Sequence, residues 1–230
     1  MIKVASYNIH KAVGTDRRRS PARILEVLNE IGADIVALQE ADLRFGTRRS
    51  ALPVDLIEHG GKYRPVPFET RKHSIGWHGN AILVSPRIDV IHHDIIPIPS
   101  LEPRGAVVAD LRTTLGAVRI VGMHLDLSGL WRRRQIRFVL EHLAARNDKM
   151  PVIMMGDLNE WSRIGGCLKE LPHDFCVAPC APSFHARRPV AHLDRIIVGP
   201  KLKIIDSNTH HSHMARQASD HLPIWAELSL

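Results

Sequence analysis

The sequence predicts an α/β protein in which mixed β-sheets are covered by helices. Three observations carry this. Short apolar runs recur along the chain and stop at polar clusters, as strands do. Most are apolar at nearly every position, the pattern of strands covered on both faces. Amphipathic helical patterns separate some of them, while a hairpin-like succession dominates from Ala81 to Met123. That succession excludes one purely parallel sheet.

In chain order, Ile2–Tyr7 reads as the first strand. Ser20-Pro21, followed by Ile24, Leu25, Leu28 and Ile31 and then Gly32, has the cap, the first-turn proline and the terminal glycine of a helix. Ile35–Gln39 is the next strand, and a further helical segment spans Ser50 to His59. Strands follow at Ala81–Ser85, Ala106–Leu111 and Val118–Met123. From Trp131 to Arg146, Ile136, Val139, Leu140 and Leu143 share one helix face, with Arg132, Arg133, Arg134 and Arg137 largely elsewhere. Val152–Met155, Arg195–Val198 and Ile224–Leu228 complete the strands. No repeat, low-complexity tract or linker divides them, so a single domain over residues 1–230 is expected.

Composition narrows the function. The 230 residues hold 31 Lys+Arg against 24 Asp+Glu, a net charge of +7 with histidine neutral. A hydrophobic share of 44% and a charged share of 24% exclude disorder, collagen-like repetition and a disulfide scaffold. No apolar run reaches the roughly eighteen residues a transmembrane helix needs, so stable membrane insertion is not expected. The opening Met-Ile-Lys-Val-Ala-Ser enters a strand without the parts of a secretory signal, which points to the cytoplasm. Cys167, Cys176 and Cys180 form no Cys-x-x-Cys and cannot all pair, so they read as reduced thiols. The positive balance points to an anionic partner and says nothing of chemistry.

Chemistry is carried by polar residues at strand ends. Asn8 and His10 follow the first strand, and Glu40 ends Ile35-Val-Ala-Leu-Gln-Glu. His124 and Asp126 end the strand that begins at Val118, and Asp157 and Asn159 end Val152-Ile-Met-Met-Gly-Asp-Leu-Asn. Asp194 begins Asp-Arg-Ile-Ile-Val, and Asp220-His221 precede Leu-Pro-Ile-Trp. Sheets gather such ends on one rim. Carboxylate and amide oxygens without thiolates suit a hard cation such as Mg²⁺, with Mn²⁺ as a substitute. A single Asp at a strand end is usually a turn former, and Asp34 and Asp42 taken alone read that way. His210, His211 and His213 lack strand-end placement and read as a solvated loop rather than a metal site.

At this point the segments Ser6-Tyr-Asn-Ile-His, Leu38-Gln-Glu, Gly79-Asn-Ala-Ile-Leu, His124-Leu-Asp, Gly156-Asp-Leu-Asn, Leu193-Asp-Arg-Ile and Ser219-Asp-His-Leu-Pro become informative together. In that order they resemble the endonuclease/exonuclease/phosphatase superfamily, which includes DNase I and the neutral sphingomyelinases. The resemblance implies a four-layer sandwich: two mixed β-sheets packed face to face and flanked by helices, with the active site on one rim. It implies that Glu40 is the principal Mg²⁺ ligand, with Asn8 beside it and Asp220 on the metal side. By the same resemblance Asp157 orients or deprotonates the attacking water, and Asn159 holds that water or a phosphate oxygen. His221 contacts the phosphate and is oriented by Asp194, while His124 also faces the phosphate. Arg104 meets the substrate's phosphate backbone, and Asn80 supports the substrate side.

The expected activity is Mg²⁺-dependent hydrolysis of phosphate esters, with phosphodiesters favoured. Nucleic acid, and DNA above all, is the first expected substrate, because basic clusters such as Arg17-Arg18-Arg19 and Arg132-Arg133-Arg134 accompany the positive charge. A phospholipid or sphingolipid head group, or a small phosphorylated metabolite, is the alternative. An inactive binding module of the same fold is the third reading, and the intact set of acidic residues with His221 speaks against it. A monomer is assumed. Trp161 and Trp77 are candidates for stacking on substrate.

Overall fold

Neighbouring residues of a strand face opposite ways, and here each face is buried against a different layer. The computed structural model describes residues 1–43, 49–68, 73–146 and 148–230. In chain order its elements are β1 (Ile2–Asn8), α1 (Pro21–Ile31), β2 (Ile35–Gln39), α2 (Val54–His59), β3 (Arg64–Pro65), β4 (Ala81–Val84), β5 (Asp89–Ile96) and β6 (Gly105–Thr113). They continue with β7 (Gly116–His124), α3 (Gly129–Ala144), β8 (Val152–Asp157), β9 (Cys176–Val177), β10 (Asp194–Val198), β11 (Lys203–Thr209), α4 (His213–Ala218) and β12 (Ile224–Ser229).

Among the described residues the strands form two six-stranded sheets, ordered β11-β12-β1-β2-β4-β3 and β5-β6-β7-β8-β10-β9. β1 runs parallel to β2, with Val4 opposite Ile35, and β7 runs parallel to β8, with Arg119 opposite Val152. The remaining pairs are antiparallel, so both sheets are mixed, as predicted.

The alternation shows why these strands read as continuously apolar. In β1 and β2, Val4, Ile35 and Ala37 enter the core between the sheets, where Val107, Ile120, Ile153 and Ile196 meet them. Their neighbours Ala5, Tyr7, Val36 and Leu38 point outward and are covered by Ile24, Val27 and Leu28 of α1. The second sheet repeats this: Val108, Val121 and Met154 pack outward against Ile136 and Val139 of α3. The result is the four-layer sandwich. At Gly122 the sheets approach closely, since a Cβ there would stand 3.3 Å from Val107 Cγ2 and 3.5 Å from Ala37 Cβ.

Two helices depart from expectation. The segment from Ser50 becomes helical only at Val54, because Pro53 disfavours helical backbone in the residue before it. Ser50 instead turns its hydroxyl to the carbonyl of Leu52. In α3 the buried face includes Arg132 and Gln135 beside Ile136 and Val139. The Arg132 guanidinium donates to the Leu127 carbonyl at 2.6 Å and to Glu160 Oε2 at 3.3 Å. Arg132 is therefore internal and not part of a basic surface.

Candidate active site

Register lines up the strand ends. Gly105 opposes His124, His124 opposes Asp157, and Asp157 opposes Asp194, so one row of pairings crosses β6, β7, β8 and β10 at a single rim. On the facing sheet, Asn8 opposes Gln39 and Glu40 follows at once. The two rims meet through a hydrogen bond from Asn8 Nδ2 to Asp157 Oδ2 at 2.9 Å.

Local backbone chemistry makes these placements. Gly156 lets β8 run close beside β7, because a Cβ at that position would lie 1.8 Å from the Met123 carbonyl oxygen. Gly156→Ala is expected to destabilise the fold by about 1–3 kcal/mol, the usual cost of forced overpacking, read as a lowered denaturant midpoint. Glu40 and Asn159 adopt left-handed backbone, with φ of 51° and 50°. Such conformations in non-glycine residues store strain where a side chain must be aimed. His10, Lys11 and Ala12 are left-handed in succession, and this turn folds the Lys11 ammonium onto Glu40 Oε2.

Asp157 is at the centre. Its Oδ1 accepts the Asn159 amide at 2.9 Å, while Oδ2 lies 3.4 Å from His124 Nε2 and 3.7 Å from His221 Nε2. The Asn159 side chain donates to the Leu125 carbonyl at 2.9 Å. His221 Nδ1 is 2.8 Å from Asp194 Oδ2, which also accepts the Ser183 hydroxyl at 2.5 Å. Phe184 packs on the His221 ring at 4.8 Å between centroids. Ser219 holds the Asn8 carbonyl at 2.7 Å, tying the His221 loop to the end of β1.

These contacts set the charges. Burial, and then the neighbouring Asp194, push Asp157 up to about 6, against the favourable presence of His221. Burial alone would lower His221, but Asp194 and then Asp157 overcome it and raise the ring to about 10. His221 is thus a cation between carboxylates. Burial opposes ionisation of Glu40; with His124 uncharged, the bonded Lys11 ammonium is what keeps this carboxyl below its ordinary range. Burial and the adjacent Arg104 keep His124 well below its usual range, so it is neutral. Arg104 Nη1 stands 2.6 Å from His124 Nε2, and with Lys11, Glu40 and His124 it lines a small cleft.

Most residues singled out in the sequence converge here. Asn8, His124, Asp157, Asn159, Asp194 and His221 form one network, with Glu40 and Arg104 beside it. Asp220 borders it, with Oδ1 3.7 Å from His10 Nδ1. Asn80 lies beneath: it is fully buried and donates to the carbonyls of Gly105 at 2.9 Å and Trp77 at 3.3 Å. Asp126 shapes a loop by accepting the amides of Leu101 and Ser128. Asp34 takes the Lys3 amide and the Arg87 guanidinium, and His210 pairs with Glu30. The three cysteines are free thiols. Lys11, Ser183 and Phe184 escaped the sequence reading. Lys11 alone had a signal, a lone cation three residues beyond Asn8 at a strand end.

One oxygen each of Asp157 and Asp194 and one ring nitrogen of His221 lie within 4.8 Å of one another. Asp194 holds that ring through Nδ1 and keeps it protonated, so the trio is arranged for proton transfer and not for holding a cation. Glu40 stays ionised and already attracts an ammonium group, so a hard divalent cation fits it.

A buried array of carboxylates, histidines and amides on the rim of a four-layer sandwich defines a phosphoester hydrolase. Residues 5–221 match the Endonuclease/Exonuclease/phosphatase family model, and the chain belongs to that family, whose enzymes generally use divalent metals. No curated protein matches it in sequence. Solved structures of similar fold include zebrafish TDP2 complexed with a single-strand DNA product, at 17% identity and TM-score 0.75, covering 100% of this chain and 99% of that one. A mannosyl-6-phosphatase from Bacteroides thetaiotaomicron is similar at 18% identity and TM-score 0.75, over 100% of both chains. The catalytic domain of human nocturnin is similar at 22% identity and TM-score 0.73, covering 99% of this chain and 94% of that one. Among the described residues no helix is long and apolar enough to cross a membrane.

Proposed function

We propose that this chain is a Mg²⁺-dependent phosphodiesterase acting as one domain, with Mn²⁺ able to substitute. The observation that carries the reading is the Asn8–Asp157–His221–Asp194 network beside an ionised Glu40. Glu40, with Asn8 and Asp220, would hold the metal, which when bound would neutralise phosphate charge and lower the pKa of water. Asp157, raised towards neutrality, accepts the proton of the attacking water, and Asn159 helps fix that water. His221 donates to a phosphoryl oxygen, and Asp194 keeps its ring turned and charged. His124 and Arg104 bound the cleft on the phosphate side, and the Lys11 ammonium occupies the Glu40 oxygen that would face the metal.

The substrate reading turns on what surrounds this cleft. Nucleic acid is supported by the net charge of +7. Arg132, one of the residues expected on its phosphate track, is spent on Glu160, and Arg133 and Arg137 pair with Glu170. A substrate offering a single phosphodiester therefore fits better than a long strand. The test is hydrolysis of bis(p-nitrophenyl) phosphate by the purified protein. EDTA is expected to abolish it, with Mg²⁺ or Mn²⁺ restoring it; undiminished turnover after verified metal removal would sink the assignment.

A further inference from the structure

Six large apolar side chains surround the rim just described. Leu101, Leu127, Leu130, Trp161, Ile164 and Val190 are between 59% and 88% exposed. Apart from the two terminal residues, no other large apolar side chain among the described residues is as exposed. Each lies on a segment leaving the row Gly105, His124, Asp157, Asp194. Leu101 precedes β6; Leu127 and Leu130 follow β7; Trp161 and Ile164 follow β8; Val190 precedes β10.

The segments are joined to one another and to the site. The Leu101 amide bonds Asp126, next to Leu127, at 3.2 Å. The Val190 amide bonds the Phe184 carbonyl at 2.8 Å. Trp161 meets Phe184 edge-on at 6.4 Å, and Phe184 meets His221 at 4.8 Å. The exposed rim is continuous with the proposed phosphate-binding residue.

Its net charge is positive, for Glu102 beside Leu101 is paired with Arg104 and Asp16 beside Arg17 with Arg23. Arg163, Arg187 and Arg188 are exposed on the same segments, and Arg17 and Arg18 are exposed on the turn after β1. Acidic neighbours are drawn inward: Asp126 holds two loop amides, and Glu160 holds the Ser162 and Cys167 amides with Arg132. A nucleic acid strand would satisfy the arginines and leave Leu127, Ile164 and Val190 in water. A second copy would set two chains of charge +7 arginine face to arginine face. An anionic bilayer satisfies both, with lipid chains for the apolar tips and phosphates for the arginines.

We infer that this rim docks on an anionic phospholipid surface and that the phosphodiester cleaved is that of a lipid head group presented there. This deepens the proposed activity and rests on it. The reaction balances as a hydrolysis. The oxygen of water bonds to phosphorus, one P–O ester bond breaks, and the proton of water ends on the departing oxygen, leaving a phosphomonoester and an alcohol.

The test separates docking from chemistry. In EDTA, the intact protein is sedimented with vesicles of phosphatidylcholine alone or mixed with phosphatidylglycerol, and tryptophan emission is recorded. Binding to the mixed vesicles only, with a blue shift that Trp161→Ser removes, is expected. Ile164→Ser and Val190→Ser should each weaken binding roughly tenfold, the effect of losing one buried aliphatic side chain. Both variants should hydrolyse bis(p-nitrophenyl) phosphate at the parent rate. With Mg²⁺ restored, the mixed vesicles should release a water-soluble head group. Hydrolysis of the soluble ester without vesicle binding overturns the docking and leaves the proposed activity standing. Vesicle binding with no metal-dependent turnover of the soluble ester overturns the activity instead. Turnover of that ester and binding without head-group release overturn the lipid substrate. Binding to a DNA duplex in place of vesicles, or a dimer by light scattering that Ile164→Asp separates, overturns the membrane partner.

Discussion

Asp157→Asn is expected to lower kcat by roughly 10²–10⁴-fold, the usual contribution of a positioned general base. Asparagine keeps the volume and an oxygen to accept the Asn159 amide but turns an amide NH2 toward Asn8 Nδ2, so folding is verified by the denaturation midpoint beside kcat. What disappears is the only group in the network that is both close to His221 and raised towards neutrality. The same assignment fixes the pH dependence of the parent. Protonated Asp157 cannot accept a proton, so kcat/KM should fall as the pH drops through about 6. Near-normal kcat in Asp157→Asn, in a protein shown to be folded, would overturn the role given to this carboxylate.

His221→Ala should cost roughly 10²–10³-fold in kcat, as loss of one preorganised donor to a developing oxyanion does. Asp194→Asn tests whether that donor works as a cation. Asp194 is the largest influence raising His221, whose ring then stays protonated up to about pH 10. Without the Asp194 charge the ring loses its proton at lower pH. The alkaline limb of the variant's kcat/KM profile should therefore move to lower pH, while activity at mildly acidic pH falls only modestly. An unmoved alkaline limb would mean that His221 is not the acid titrating there.

The sequence alone carried the central strands and most of the residues that the fold gathers at the candidate site. Strands buried on both faces must be apolar at successive positions, so β1, β2, β4, β6, β7, β8, β10 and β12 were legible as uninterrupted runs. Residues such as Asn8, Glu40, Asp157 and His221 stood out because they interrupt those runs at strand ends. The strands that escaped, β3, β5, β9 and β11, are the four sheet edges. β3 and β9 have two residues each, and β5 and β11 face solvent along much of their length, so neither periodicity nor hydrophobicity marks them. Tertiary structure decided everything that depends on distant pairing. Ser183 and Asp194 are eleven residues apart, and only their meeting with His221 gives them a shared task. Arg132 looks like one of three surface arginines in sequence, but the fold buries it on Glu160, twenty-eight residues on, because a buried cation needs a nearby carboxylate. The apolar rim was equally hidden. Leu101, Leu127, Ile164 and Val190 are ordinary core residue types, and only the placement of their loops around one row of strand ends leaves them in solvent.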